Sequence, residues 1–363
     1  MIKKSVISMK QLVCMLLISR IVVCMTFGSR LINGNDIWDC IISCLVSFLI
    51  TFLMVVPVCV LCKTGSQCDI SDISEQLLGG TGKIVTLIYA IYFILVCAHT
   101  LAVFKIFIEN VMNPPVSFLL LSTAMIFFSC YGAAKGLEGL ARTSAIILFF
   151  ILCALAFLGF SSFKAVDFTN FKPFFYNNGT KTVVDGINFL ISRSSCIPAA
   201  AMLLSKARGN LKSGILVWNT SFYALMASSI FLVVGTLGDF SPTRFFPVYS
   251  MTSIAKIGSL ENLDALYLGL WTAGIFMKIS LFMNLSSECI RKTFGRKNKK
   301  IIIFLVGAAL IFTNKFIKIS NVSSGIFSTN FLLMFTIFTA IIIPILLIIV
   351  KRSQKINFYG FNN

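Results

Sequence analysis

Acidic residues are scarce in this 363-residue chain, which has 13 Asp and Glu against 31 Lys and Arg. All charged residues together make up 12% of the sequence. A soluble domain carries about 25%. There is one histidine, no Gly-rich phosphate loop, and no His and Cys cluster at metal-ligand spacing. These absences exclude an ordinary soluble enzyme, and we expect neither a catalytic site nor a cofactor.

Apolar residues are abundant instead, since 57% of positions are hydrophobic and the mean hydropathy is +0.92. The basic residues give a net charge of +18, but they are spread through short loops between apolar runs. A nucleic-acid-binding protein would gather them in a basic domain or stripe. The composition therefore predicts an all-α integral membrane protein with many spans.

Ten segments are apolar and long enough, at about 20 residues each, to cross a bilayer as helices. The predicted spans are residues 10–29, 37–62, 84–108, 116–134, 143–163, 183–205, 213–237, 263–288, 300–317 and 326–350. Nothing between them resembles a soluble domain, so residues 1–363 are predicted to form one transmembrane domain. The first span follows a Lys3-Lys4 pair as in a signal peptide, but no cleavage site follows, and we expect it to be retained.

The loop charges predict the orientation. With the N-terminus inside, the inner segments carry nineteen of the basic residues and the outer segments nine. The densest group is the run 291–300 on the inner side. Because basic residues favour the cytoplasmic side, both termini are predicted to be cytoplasmic.

The three remaining basic residues, Arg20, Arg193 and Lys278, lie near the middle of predicted spans. Each arginine closes a Leu-Ile-Ser-Arg tetrapeptide, at 17–20 and at 190–193. A charge at this depth costs at least about 2.5–3.5 kcal/mol on insertion scales, so such residues are functional-site candidates. No Asp or Glu lies at a span centre, so the membrane interior holds three cations without a matching acid.

Buried cations need acceptors, and the sequence leaves three kinds open. The cations bind an anionic ligand, they bond to backbone carbonyls freed by a broken helix, or they line a water-filled cavity. The sixth span favours a break independently, because Arg193-Ser194-Ser195-Cys196-Ile197-Pro198 places polar residues and a proline at mid-span. The first span is less clear, since Ile21-Val22-Val23-Cys24 has neither Gly nor Pro.

Histidine and cysteine give weaker indications. His99 lies within the third span and is interpreted as a packed, hydrogen-bonding residue rather than a proton relay. Cys59, Cys62 and Cys68 are close in sequence, but no second ligand group accompanies them, so no metal site is predicted. The other cysteines lie mostly inside spans and show no disulfide spacing.

Two stretches carry a family resemblance. The loop Gly136-Leu137-Glu138-Gly139-Leu140-Ala141-Arg142 resembles the G-x-E-x-x-A-R signature of the spore-germinant-receptor B subunits. The run Trp271-Thr272-Ala273-Gly274-Ile275-Phe276-Met277-Lys278-Ile279-Ser280, with Phe246-Pro247-Val248-Tyr249 before it, resembles that family's eighth span. With weaker matches at 7–12 and 73–79, the chain is identified as a member of this family.

The resemblance implies a relative of the amino acid–polyamine–organocation transporters. Such proteins have ten helices in two inverted five-helix repeats, here residues 8–163 and 183–350, with broken first and sixth helices. The family's B subunits sense small nutrients such as amino acids. They act with an A-type membrane subunit and a C-type lipoprotein subunit. We therefore expect a multi-pass protein of the spore inner membrane or the cell membrane.

The resemblance also implies a ligand site at the two helix breaks. The family's break positions fall about at Val22-Val23 in the first helix and at Ser195-Cys196-Ile197 in the sixth. The residues predicted to bind the ligand are Arg20, Val22, Val23, Cys24, Arg193, Ser194, Ser195 and Cys196. The family's usual glycines are missing, and Arg20 and Arg193 lie beside these positions. Either the arginines replace backbone donors to a ligand carboxylate, or the pocket has lost amino acid binding. Lys278 matches a lysine of the eighth-span motif and is predicted to be a fixed surrogate for the cation that sodium-coupled relatives bind between helices one and eight.

Three functions stay open from the sequence. The resemblance favours a receptor subunit that binds a small, amino acid-like nutrient, with an anionic ligand as one possibility. The same scaffold fits an amino acid or organic-ion permease. It also fits a structural subunit that no longer binds a nutrient. Each of these is non-enzymatic and resident in the lipid bilayer.

Overall fold

The computed structural model describes residues 7–27, 37–64, 68–112, 118–172, 179–254, 264–295, 298–316 and 327–360. Within these ranges the chain is helical apart from two short strands and the connecting segments. The strands are β1 (Ile7–Ser8) and β2 (Ala207–Arg208). The α-helices are α1 (Met9–Thr26), α2 (Ile37–Thr64), α3 (Ile70–Leu78), α4 (Gly82–Phe107), α5 (Phe118–Ala134), α6 (Gly136–Phe163), α7 (Gly179–Ser192), α8 (Cys196–Leu203), α9 (Leu211–Leu237), α10 (Pro247–Ile254), α11 (Asp264–Phe294), α12 (Lys299–Phe316), α13 (Thr329–Ile337) and α14 (Ile343–Gly360).

Eight helical stretches of the described chain are long and apolar enough to cross a membrane. They coincide with the first three predicted spans, with the fifth to eighth, and with the tenth. The fourth and ninth predicted spans coincide with α5 and α12, which fall outside this group of eight. The chain is therefore an all-helical, multi-pass membrane protein, and its division into two inverted repeats stays a prediction.

The outward faces of the bundle are apolar. Leu49 on α2, Phe128 on α5 and Phe149 on α6 are all at least 60% exposed. Burial is complete at the centre, where every residue of α8 is buried, as is α1 from Met15 to Met25. An apolar exterior around a packed interior fits a hydrocarbon surrounding, since such broad apolar surfaces are rare on soluble monomers.

The first span is a continuous helix, so the predicted break at Val22–Val23 is wrong. A capping box starts α1: Ser8 Oγ accepts from the Gln11 N–H at 3.2 Å, and Gln11 Oε1 accepts from the Ser8 N–H at 3.0 Å. No Gly or Pro interrupts the apolar run that follows, so the backbone hydrogen bonds continue through it. The helix ends at Thr26, and Phe27 is extended.

The sixth span is broken, as predicted. α7 ends at Ser192, α8 begins at Cys196, and the three residues between them are not helical. Pro198 lies in the first turn of α8, where a missing N–H is tolerated. The Ile197 N–H donates to the Ser194 carbonyl at 3.0 Å and closes the turn into α8. The break therefore places Arg193, Ser194 and Ser195 between two helices in the interior.

Strands β1 and β2 pair in parallel and tie the start of α1 to the segment after α8. Gly209 follows β2 with φ +138°, in the region that favours glycine. A Cβ at Gly209 would lie 2.8 Å from the Cβ of Met9. The connection between the broken helix and α1 is therefore close-packed.

Three charged residues join α3, α11 and the segment after α8. Lys292 Nζ lies 2.7 and 2.8 Å from the two carboxylate oxygens of Asp69, whose side chain is 2% exposed. Lys206 Nζ lies 3.4 Å from Asp69 Oδ2. Burial opposes ionisation of Asp69, but the two ammonium groups outweigh it and lower its pKa. These residues, which we call the Asp69 cluster, come from three segments predicted to be cytoplasmic.

Candidate ligand site at the broken sixth helix

Arg20 lies at the centre of a polar network although only 1% of its surface is exposed. Its Nη1 donates to Oδ1 of Asn219 at 3.3 Å, and its Nη2 donates to the hydroxyls of Tyr223 at 2.8 Å and Ser194 at 3.1 Å. Thr51 on α2 donates to the same Asn219 oxygen at 3.0 Å. We call Arg20, Thr51, Ser194, Asn219 and Tyr223 the Arg20 network. It joins α1, α2, α9 and the break.

Aromatic rings complete the surroundings of this guanidinium. Its Cζ lies 3.8 Å from the ring centroid of Phe222, 4.8 Å from that of Tyr223 and 5.2 Å from that of Trp218. A cation over an aromatic face is attracted by the ring quadrupole, more strongly when both are desolvated. Neutral oxygens and rings together stabilise the charge in the part of the network that the structure describes.

The acceptors of Arg20 exclude, for this residue, the freed backbone carbonyls that the sequence left open. They are side-chain oxygens, not the carbonyls of an unwound helix. The network is anchored in turn, because Asn219 Nδ2 donates to the Phe48 carbonyl at 3.1 Å and Ser194 Oγ donates to the Leu190 carbonyl at 2.9 Å. Arg20 therefore cross-links a continuous α1 to the break in the sixth span.

Arg193 lies in the break itself and is half-buried. Its Nη1 donates to Ser192 Oγ at 2.9 Å, and its Cζ lies 4.0 Å from the ring centroid of Phe189. Both partners belong to the last turns of α7, so these contacts hold the guanidinium beside the helix end. The two arginines of the repeated tetrapeptide thus occupy different environments.

Lys278 lies on α11 with 6% of its surface exposed. Arg193 and the thiols of Cys196 and Cys97 are within electrostatic reach of its ammonium. The thiol of Cys97 on α4 donates to the Ile279 carbonyl at 3.7 Å, which places α4 against α11 beside the lysine. In the described part of the chain, the ammonium has no hydrogen bond or ion pair.

Two contacts that join α1 to α11 involve other residues than Lys278. The Tyr267 hydroxyl donates to the Met25 carbonyl. A Cβ at Gly274 would lie 3.2 Å from a methyl of Val22, so the two backbones approach closely there. Lys278 as a cation surrogate between helices one and eight stays a prediction, and Arg193 of the broken sixth helix is within electrostatic reach of its ammonium.

His99 on α4 belongs to the same region. It is 8% exposed, and both Arg193 and Lys278 are within electrostatic reach of its ring. Its ring centroid lies 6.1 Å from that of Phe327. We call Arg193, Lys278 and His99, together with the break residues Ser195 and Cys196, the break cluster.

Two further helices fix the end of α7 at this cluster. The Thr336 hydroxyl on α13 donates to the Ser192 carbonyl at 3.3 Å and lies 2.9 Å from the Tyr92 hydroxyl on α4. On the other side of the break, Ser195 is the N-cap of α8 but provides no side-chain cap hydrogen bond. In the first turn of α8 the Ile197 N–H donates to the Ser194 carbonyl at 3.0 Å and the Ala199 N–H to the Ser195 carbonyl at 3.3 Å, so the positive end of the helix dipole lies at the break.

Sequence reasoning missed the partners of Arg20. Asn219 and Tyr223 are four residues apart on α9, so they share a helix face, and Thr51 is a polar residue within an apolar α2. A polar pair at this spacing within an apolar span was the available signal. Nothing in one sequence connects it to a residue 199 positions earlier.

A metal centre finds no support among the described residues. No group of three or more His, Cys, Asp or Glu is placed to hold an ion there. The cysteines are free thiols, including the neighbouring Cys59, Cys62 and Cys68.

Comparison with known proteins gives a consistent result. A family model described as spore germination protein matches residues 6–322. A protein whose name assigns it to spore germination, YfkT of Bacillus subtilis (strain 168), is 24% identical over 212 residues, which are 55% of each chain. Spore germination protein XB of Bacillus anthracis is 22% identical over 204 residues, 53% of this chain and 55% of the relative. The match thus spans about half the length of these curated relatives.

Proposed function

Because the chain belongs to the spore germination protein family, we propose that it is the membrane subunit of a spore nutrient receptor. A small nutrient binds at the break cluster, and the receptor signals germination together with an A-type membrane subunit and a C-type lipoprotein subunit in the spore inner membrane. One observation carries this proposal: the sixth span opens at Arg193–Ser195 in the protein interior, among basic side chains. Broken helices at mid-membrane are where transporter folds bind substrates.

The two sides of this site contribute different groups. Arg193, Ser195, Cys196 and Lys278 supply polar groups from the break and from α11. Val22, Val23 and Cys24 supply side chains from α1, because their backbone N–H groups stay within a continuous helix. Ser194 is already engaged by Arg20 and by the Leu190 carbonyl, so it positions the break rather than binding ligand.

A route from this site to the inner side of the protein follows from the covalent chain. α8 starts at the break and leads, after one further turn, to Lys206 in the Asp69 cluster and to β2 beside the start of α1. The Arg20 network holds the other side of the break against α1, α2 and α9. A ligand that binds one position of α8 more tightly than another shifts the equilibrium between these positions. Because α8 leads to Lys206, this shift also moves the Asp69 cluster, and partner subunits sense that movement.

The proposal is tested by a germination dose–response. Spores that lack this chain should lose the response to at least one nutrient and regain it when the wild-type chain is restored. Restoring Arg193→Gln at wild-type protein level should raise the half-maximal nutrient concentration. Arg244→Gln, an exposed arginine outside the break cluster, is the matched control and should leave that concentration unchanged. Unchanged responses to every nutrient tested in spores that lack this chain would contradict the receptor role.

A permease is the second candidate, since the same broken helix is typical of transporters. Proteoliposomes that contain this chain alone should then take up labelled amino acid above the level of empty liposomes. For a receptor subunit we expect no uptake above that background.

A further inference from the structure

A groove on the outside of the bundle lies between α2 and α9, and we call it the α2–α9 groove. Its volume is about 510 Å³. One wall is a single face of α2, formed by Phe52, Val56 and Val60, which are each 38–46% exposed. The other wall is the start of α9, with Leu211, Lys212 and Leu216. Between Phe52 and Val60 the helix rises about 12 Å, which is most of the roughly 15 Å of hydrocarbon in one leaflet.

Lys212 distinguishes this groove from a purely apolar one. A larger groove of about 710 Å³, with walls from α6, α9 and α10, has no charged residue in its lining. The Lys212 side chain is exposed, and in the described chain its ammonium has neither a hydrogen bond nor an ion pair. It is the second residue of α9, where the helix dipole already places partial positive charge. Lys212 is therefore not placed to stabilise the helix, and an anion at this point would be attracted by both charges.

The surroundings of Lys212 are basic as well. Arg208 on β2 is exposed and lies four residues before it. The pairing of β2 with β1 brings the start of α1, with the exposed Lys10, to the same end of α9. The sequence of the two walls, residues 50–62 and 205–216, contains no Asp or Glu. This end of the groove lies on the side predicted to be cytoplasmic, where basic residues attract anionic lipid headgroups.

The width of the groove favours a lipid chain over a helix. Immediately beyond Phe52, α2 and α9 are in direct contact. Thr51 Oγ1 donates to Asn219 Oδ1 at 3.0 Å, and Asn219 Nδ2 donates to the Phe48 carbonyl at 3.1 Å. A membrane-spanning helix of a partner is about 10–12 Å across and does not fit between walls that meet in this way. A single acyl chain does fit, and its headgroup then lies at Lys212.

We propose that the α2–α9 groove binds one anionic phospholipid of the cytoplasmic leaflet. One acyl chain lies along the apolar face of α2, and the phosphate accepts a hydrogen bond from Lys212 Nζ. Arg208 and Lys10 add to the attraction. The bound lipid stabilises the contact between two helices that also hold the Arg20 network. This site is separate from the proposed nutrient site, and the failure of either proposal leaves the other intact.

Two lipids that differ only in their headgroup test the role of charge. Native mass spectrometry of the purified full chain in detergent measures binding of phosphatidylglycerol, which is anionic, and of phosphatidylcholine with the same acyl chains. The wild-type chain should bind the first phosphatidylglycerol about fivefold more tightly than the first phosphatidylcholine. Equal binding of the two lipids would overturn the proposal.

A matched pair of substitutions assigns this preference to the groove. Lys212→Gln should lose most of the preference for phosphatidylglycerol. Lys83→Gln is the control, because Lys83 is also the exposed second residue of a membrane-spanning helix on the same predicted side, but does not line the groove. It should keep the wild-type preference. A preference that persists in Lys212→Gln would overturn the proposal.

Photo-crosslinking in the cell membrane identifies the occupant. Val56→p-benzoylphenylalanine should form adducts enriched in phosphatidylglycerol. The control is the same substitution at Leu53, which is 67% exposed on α2 but lies outside the groove, and it should show no such enrichment. An adduct of position 56 with another protein would identify a partner helix and overturn the proposal. Lipid adducts in the same proportions at both positions would also overturn it.

Discussion

Arg20 and Arg193 end the same tetrapeptide, yet the protein treats them differently. Arg20 lies in a continuous helix, is almost wholly buried, and bonds to side chains on α9 and in the break. Arg193 lies in a broken helix, is half-buried, and contacts Ser192 and Phe189 of its own segment. The residues opposite a cation, not the residues beside it in sequence, determine its role. Arg20 cross-links helices, and Arg193 belongs to the region we assign to the ligand.

The Asp69 cluster extends this comparison to cations that do have an acid. Asp69→Asn should lower the free energy of unfolding by about 3 kcal/mol, because it removes a buried carboxylate that two lysines share. Thermal unfolding of the purified chain measures this effect. Asp72→Asn is the matched control, since Asp72 also contacts Lys292 but is 33% exposed and should change stability by less than about 1 kcal/mol. Equal losses of stability in Asp69→Asn and Asp72→Asn would show that burial of the carboxylate does not determine how much it stabilises the protein.

Acid should weaken the Asp69 cluster and spare the Arg20 network. The pKa of Asp69 is lowered in the folded protein, so its contribution to stability is complete above the unfolded pKa. It is lost as the pH falls through the folded pKa, which lies below that of an unfolded Asp side chain. Unfolding measured from pH 6 downwards should show this loss in the wild-type chain and less of it in Asp69→Asn. The same pH dependence in both chains would contradict the assignment to Asp69.

The shape of the guanidinium should matter more at Arg20 than at Arg193. Arg20→Lys keeps the charge but cannot reach Asn219, Ser194 and Tyr223 with one planar fork. We expect a loss of about 2 kcal/mol in the free energy of unfolding, from hydrogen bonds to a charged group. Arg193→Lys is the control and should lose less. A larger loss of unfolding free energy in Arg193→Lys than in Arg20→Lys would contradict the difference between the two arginines.

The smallest expected effect comes from a single acceptor of the Arg20 network. Tyr223→Phe removes the hydroxyl that lies 2.8 Å from Arg20 Nη2 and should cost about 1 kcal/mol. In a double-mutant cycle with Arg20→Lys, the two losses should not add, because both act on one hydrogen bond. Tyr131→Phe, at an exposed tyrosine on α5, should change nothing measurable. Full additivity would mean that the hydroxyl acts independently of Arg20.

Sequence predicted the features that depend on local composition. Long apolar runs gave the spans, and Pro198 with its polar neighbours gave the break in the sixth helix. The predicted break in the first helix is wrong because it was taken from the family's pattern, although the local sequence contains neither Gly nor Pro. Loop and eighth-span motifs predicted the family, which the match to residues 6–322 confirms.

Pairings between distant segments could not be predicted. Arg20 with Asn219, and Asp69 with Lys292, join residues about two hundred positions apart. Each residue stands out in the sequence as a polar or charged position. Its partner is determined by how the helices pack, and one sequence without relatives does not contain that information.

The melting temperatures of Arg20→Gln and Arg193→Gln, measured side by side on the purified full chain, test the central claim most directly. Both substitutions remove one charge from the same tetrapeptide, so the chemical change is identical. Arg20→Gln should melt several degrees below the wild type, because it leaves the buried oxygens of Asn219, Tyr223 and Ser194 without the donor they share. Arg193→Gln should melt closer to the wild type than Arg20→Gln does, because the described contacts of Arg193 with Ser192 and Phe189 lie within its own segment. Equal melting temperatures, or a lower one for Arg193→Gln, would contradict the account.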